Sequence, residues 1–191
     1  MTTFIFDPVH SYLTFSVRHI MISNARGHIA NVKGWLEFDL AKWNLETLEA
    51  RMDLVDLCTG NGKRDEHLRS ADFFDAGKFP VITFQSKNIE RLSAVDHSIT
   101  GVLRMHGVEK EVVFDVQPLG VWEIPQKESD VTAPSIGFTG SLTIDRRDFG
   151  INWNNPLPDR GLGVGHDVSI TLDIEAREKH ADEECPVCTP S

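Results

Sequence analysis

This chain of 191 residues has few cysteines: Cys58, Cys185 and Cys188 are the only three. Three cysteines so unevenly spread do not make the disulfide framework of a small secreted scaffold, which agrees with a reducing compartment. Basic runs are equally scarce. None is longer than two residues, and 29 acidic against 19 basic residues give a formal net charge of −10. A nucleic-acid binder presents a basic face, and binding of such an acidic chain to an anionic membrane surface is disfavoured for the same reason. No apolar run approaches the roughly 18 residues of a membrane-spanning helix. A secretory signal needs a basic start and an apolar core of about 7–15 residues; here a strand pattern begins by about Phe4. A cytoplasmic protein without a signal peptide is the expectation.

What the chain does have is alternation with period two. In the first strand Leu13, Phe15 and Val17 share one face, with Tyr12, Thr14, Ser16 and Arg18 on the other. The pattern returns with Leu36, Phe38 and Leu40, with Leu48, Ala50, Met52 and Leu54, and with Ile82 and Phe84. It continues through Ile99, Leu103 and Met105, then Val112, Phe114 and Val116. Ile136, Phe138, Leu142 and Ile144 make the seventh strand, and Val168, Ile170, Leu172 and Ile174 the eighth. Gly, Pro, Asn and Asp gather between them. Strands apolar on one face only belong to antiparallel sheets. Eight of them without βαβ alternation predict an all-β sandwich or a closed barrel.

Two long connections interrupt the pattern. Residues 59–80 predict a short helix near Lys63–Ser70, capped by Asn61 and followed by a lid or plug carrying Phe73, Phe74 and Phe79. The second, rich in turn residues, precedes the last strand. After Glu178 the chain turns polar and acidic, so residues 1–178 are expected to form the barrel domain and 179–191 a flexible tail.

Candidate sites are sparse. His10, His19 and His28 stand nine apart, a spacing that does not converge on strands, unlike two histidines on one helix turn. The plainer reading is hydrogen-bonded strand-end histidines, and only His19 has inward parity. Cys185 and Cys188, with His180 five residues ahead, form half of a zinc-ribbon knuckle, and a structural zinc needs four ligands. They are weak metal or redox candidates, and no metal or cofactor is expected. The glycines of "GLGVGHDV" lead into a strand, not a helix, and read as a turn. Arg18, Arg26, Lys63, Arg64, Arg69, Arg146, Arg147 and Arg160 stand at strand ends and loops, where some can ring a mouth. No nucleophile–base pair is evident.

"FDPVHSYLTFSVRHIMISNARG" and "TGNGKRDEHLRSADFFDAGKFPVITFQS" resemble two signatures of the YceI-like, polyisoprenoid-binding family, and "ITGVLRMHGVEKEVVF", "RRDFGIN" and "VGHDVSITLDIEA" match its later segments in order. The resemblance covers residues about 4 to 177. It implies an eight-stranded antiparallel lipocalin-like barrel with a short helix between strands 3 and 4. It further implies an elongated apolar cavity for an isoprenoid quinone or polyprenyl phosphate, held by a carrier, store or sensor and not by an enzyme. A homodimer is plausible from the family. Many members carry a signal peptide; this sequence departs there and in its "CPVC". The cavity wall is then expected from Leu13, Phe15, Val17, His19, Leu36, Phe38, Leu48, Met52, Leu54, Phe73, Phe74, Ile82, Phe84, Leu103, Met105, Phe114, Phe138, Leu142, Ile170 and Leu172, with Arg69 and Arg146 as head-group candidates. Two other readings stay open: a metal- or redox-dependent protein using the histidines or the tail thiols, and a dimeric structural barrel with a filled core.

Overall fold

In the computed structural model, residues 1–125, 132–155, 162–180, 183 and 187 are described. The strands are β1 (Thr2–Phe6), β2 (Tyr12–His19), β3 (Ser23–Ile29), β4 (Lys33–Asp39), β5 (Asn44–Asp53), β6 (Leu57–Cys58), β7 (Val81–Arg91), β8 (His97–Met105), β9 (Val108–Pro125), β10 (Thr132–Asp145) and β11 (Val164–Glu178). All pair antiparallel in the order β1-β4-β5-β7-β8-β9-β10-β11, and β11 pairs back onto β1 to close the ring.

Eleven segments make eight staves because the first three are broken. β1 and β2 share one edge of β11: Phe4–Phe6 pairs with its C-terminal end, and Tyr12–Val17 with its middle. Pro8 has no N–H for a ladder, so the strand turns out between them. Asp7 Oδ1 accepts from Val9 N at 2.8 Å, and the fully buried Ser11 repairs the gap. Its Oγ donates to Glu175 O at 3.1 Å and accepts from Glu175 N at 3.2 Å. β3 and β4 form the second stave, and β5 and β6 the third, bent at a 3₁₀ turn over Leu54–Asp56. The result is the expected eight-stranded lipocalin-like barrel. A full ring leaves no edge for aggregation.

The expected helix is α1 (Gly62–Arg69), between the third and fourth staves, with Asn61 Oδ1 accepting from Arg64 N at 3.2 Å. Leu40 departs from expectation: β4 ends at Asp39, and a register shift at Glu37/Phe38 leaves Leu40 exposed in the following turn.

The barrel has two unlike ends. At one, Phe4, Leu36, Phe38, Leu45 and Ile136 are almost fully buried, and the Phe38 ring meets Trp43 and Phe138 edge-on at 5.2 and 5.7 Å. This end is packed solid. His97 lies here, 1% exposed, with no hydrogen-bond partner for either ring nitrogen among the described residues. Burial, reinforced by Arg91, holds its pKa below the ordinary value. Above about pH 6.5, the unperturbed histidine value, the ring is neutral folded or unfolded and contributes no pH dependence. Below it the unfolded chain takes up a proton that the buried ring resists. Stability should then fall by up to about 1.4 kcal/mol per pH unit from this group. Urea unfolding at falling pH should show a shallower acid limb for His97→Leu than for the wild type; equal limbs would refute this.

Candidate functional site: an apolar cavity in the barrel

At the other end the interior is not filled. A cavity of about 470 Å³ lies between the staves, inside the range of small-molecule pockets, about 300–1,000 Å³. β2 contributes Leu13, Phe15, Val17 and His19; β5, Leu48, Ala50 and Met52; β7, Ile82 and Phe84. β8 adds Ile99, Leu103 and Met105; β9, Phe114 and Val116; β10, Ile144; β11, Val168, Ile170, Leu172 and Ile174. Phe73 and Phe74, from the segment after α1, complete the wall.

Close approach of neighbouring staves shapes this wall. Phe84 lies across Gly101, where a Cβ would come within 2.4 Å of its ring, and Phe15 covers Gly27 in the same way at 2.5 Å. A glycine beneath each ring lets the aromatic lie flat on the next strand, so the rings line the space without occupying it.

Fifteen of the twenty apolar and histidine positions expected at the wall are there. The other five are elsewhere, and this is a correction in depth, not in facing. Leu36, Phe38 and Phe138 belong to the packed end. Leu54 is buried in the 3₁₀ turn of the third stave, and Leu142 is buried in the core without lining the cavity. Alternation reports which face a residue is on, but not how far along the barrel it sits.

Both head-group candidates have structural duties, and Arg146 also lines the cavity. Arg146 is 4% exposed. Its Nε donates to Gly165 O at 2.8 Å and its Nη1 to Ile151 O and Trp153 O at 2.7 and 2.8 Å, with Nη2 3.4 Å from Val164 O. The carboxylate beside it, Asp145, is taken by Arg147, which holds that carboxyl down to about 2. Arg69 does not line the cavity. Its guanidinium donates to Leu54 O, Val55 O and Leu57 O and ties the 3₁₀ turn to α1. Arg64, on the rim, is likewise bound to Thr59 Oγ1 and O at 2.7 and 2.8 Å.

Sequence reasoning missed the aromatic corner of the mouth. His67 packs edge-on against Phe73 and Trp153, with centroids at 5.0 and 4.7 Å, and its Nε2 is 2.8 Å from Asp72 Oδ2. His67, Leu68 and Trp153 all line the cavity. The short helix and the aperiodic loop that bring them together carry no alternation. A tryptophan in a loop of turn residues was the one available signal.

The three opening histidines do not converge. His19 is at the cavity mouth, and His28 is on the outer face of β3 opposite Cys58. His10 is 3.2 Å from Asp7 Oδ2 and 3.8 Å from Glu175 Oε2, a largely exposed group of ligand-type atoms within 4.8 Å of one another. Exposed ion pairs of this kind contribute little. Cys185, Cys188 and Arg160 lie outside the described residues. Among the described residues no helix is long and apolar enough to cross a membrane.

A closed antiparallel barrel, packed at one end and hollow and apolar at the other, defines the lipocalin-like class of barrels built to enclose a small apolar ligand. Within that class the chain belongs to the YceI-like domain family, whose model matches residues 4–176. A UPF0312 protein of Staphylococcus aureus is 35% identical over 177 residues, covering 92% of this chain and 97% of its own. A crystal structure of the Campylobacter jejuni YCEI protein superposes with a TM-score of 0.71 at 29% identity, over 85% of this chain and 90% of that one. A polyisoprenoid binding domain from Saccharophagus degradans shares the fold, with a TM-score of 0.63 at 16% identity over 94% of this chain and all of its own.

Proposed function

We propose that this protein binds a long isoprenoid-type lipid in the barrel interior, as a carrier or store, and is a binding protein and not an enzyme. The observation that carries the reading is the cavity: about 470 Å³ of space that the protein's own side chains leave open, walled by aliphatic and aromatic groups. Protein interiors normally pack to the density of organic crystals, so a barrel serving only as a scaffold would be expected to fill it. The shared fold of the Saccharophagus degradans polyisoprenoid binding domain supports the same reading.

Magnitudes favour an apolar chain held without a polar cage. Each buried methylene contributes about 0.8 kcal/mol, so ten such groups give about 8 kcal/mol, micromolar affinity before ordering costs. The donors of Arg64, Arg69 and Arg146 are committed to the protein's own oxygen atoms, whereas Arg18 and Arg26, which also line the cavity, make no such bond among the described residues. An isoprenoid quinone, with its neutral head, and a polyprenyl phosphate, whose phosphate those two cations could meet, both fit this rim. Protein purified without detergent, extracted with organic solvent and analysed by mass spectrometry should release an isoprenoid lipid at near-equimolar ratio. Repeatedly lipid-free protein that also fails to take up a long-chain isoprenoid quinone from detergent would overturn the reading.

A further inference from the structure

The turn between β2 and β3 is built from unusual residues. Ile22 N donates to His19 O at 3.2 Å within the three-residue connection 20–22, in which Ile20 and Met21 both have positive φ, 44° and 62°. Two successive positive φ values favour Asn-Gly, and a β-branched residue with positive φ is a costly outlier. Met21 and Ile22 are nevertheless 56% and 78% exposed. The fold has no use for their side chains. The turn is also at the cavity mouth: Ile20 lines the cavity, and its N–H donates to Gly163 O at 2.8 Å.

Behind this apolar tip stand two cations. Arg18 is opposite Asn24 and Arg26 opposite Ser16, outward in parity, and both long side chains reach the cavity mouth, whose lining includes them. Neither makes a hydrogen bond or ion pair among the described residues. Three and five residues from Met21, at about 3.3 Å per residue, they lie roughly 10 and 17 Å behind the tip. Apolar groups of interfacial segments sink about 5–10 Å into the headgroup–acyl boundary, which puts Arg18 at phosphate depth and the long stem of Arg26 within reach of it. The net charge of −10 does not oppose this. The hairpin itself, residues 12–29, carries no acidic residue, the carboxylates on the stretch of β11 paired with it being Asp167 and Asp173, and charges beyond a Debye length of about 8–10 Å are largely screened.

We propose that the β2–β3 turn docks the cavity mouth onto a lipid bilayer bearing anionic headgroups. Met21 and Ile22 enter the acyl boundary and Arg18 and Arg26 meet the lipid phosphates, so that an insoluble chain passes between membrane and barrel without crossing water. The inference rests on the lipid-binding reading above. The test is co-sedimentation of the full chain with vesicles of phosphatidylcholine and phosphatidylglycerol, two to one. Met21→Asp/Ile22→Asp should weaken partitioning at least about tenfold, since each anchor lost removes more than one decade. Arg18→Gln/Arg26→Gln should lose the preference for the anionic vesicles over phosphatidylcholine alone, as added salt does to the wild type. Absence of wild-type partitioning, or unchanged partitioning of the aspartate variant, overturns the proposal. In parallel, a long-chain isoprenoid quinone delivered in detergent should quench the tryptophan fluorescence of wild type and aspartate variant equally. Loss of quenching in both would sink the cavity reading itself, whatever the vesicles show.

Discussion

Replacing Arg146 by methionine is expected to lower the free energy of unfolding by about 3 kcal/mol, and Tm by about 6–12 °C for a domain of this size. The reason is in its partners. The guanidinium is buried and pairs with no carboxylate among the described residues, Asp145 being occupied by Arg147. Burial lowers its pKa from the ordinary arginine value, yet guanidinium stays protonated in proteins. Its charge is met by carbonyl dipoles of Ile151, Trp153 and Gly165, with Val164 at longer range. These carbonyls belong to the connection that forms one side of the cavity mouth and to the start of β11. Methionine matches the stem and removes the donors, and each buried carbonyl left unpaired costs about 1–3 kcal/mol, partly offset by no longer burying a charge. Arg146→Lys should recover only a fraction, since one ammonium cannot reproduce the planar fork. Thermal unfolding followed by circular dichroism checks this; a methionine variant melting with the wild type would refute it.

Arg146 also shows where sequence reading stops. Its position in a matched segment and its place at a strand end were legible, and they suggested a group facing the ligand. The four carbonyls it serves are assembled from a loop and a strand start up to 19 residues away, and nothing in local pattern announces them. The staves were legible for the opposite reason. A strand half-buried in a barrel must alternate, so Leu13, Phe15 and Val17 declared their face at once, and the same rule found the other seven. Breaks in the first three staves were not legible, because Ser11 repairs one of them with a contact to Glu175, 164 residues distant. Depth along the barrel was hidden too. Phe38 and Phe84 have the same chemistry and the same inward parity, yet one plugs the closed end against Phe138 and the other lies flat over Gly101 beside the cavity. What separates them is the neighbour across the barrel, a property of closure and not of sequence spacing.

Val17→Trp is expected to lower affinity for a long-chain isoprenoid quinone by about 100-fold while leaving Tm within about 2 °C of the wild type. Val17 is paired with Val168 and Ala25 and lines the cavity, so an indole there extends into open space and not into packed core. Overpacking penalties arise where space is already filled; here the space belongs to the ligand. Displacing three to four methylene-sized groups of a bound chain removes about 2.4–3.2 kcal/mol, which is the expected factor. Val113→Trp is the matched control: Val113 is 53% exposed on the outside of β9, so the same side chain there should leave both binding and Tm unchanged. Lipid retained through gel filtration and counted by mass spectrometry reads the affinity without relying on tryptophan emission. Binding undiminished in Val17→Trp, with the fold intact, would place the lipid outside the barrel and leave the cavity without its proposed occupant. Binding lost in both variants would trace the loss to the added indole and not to the filled cavity.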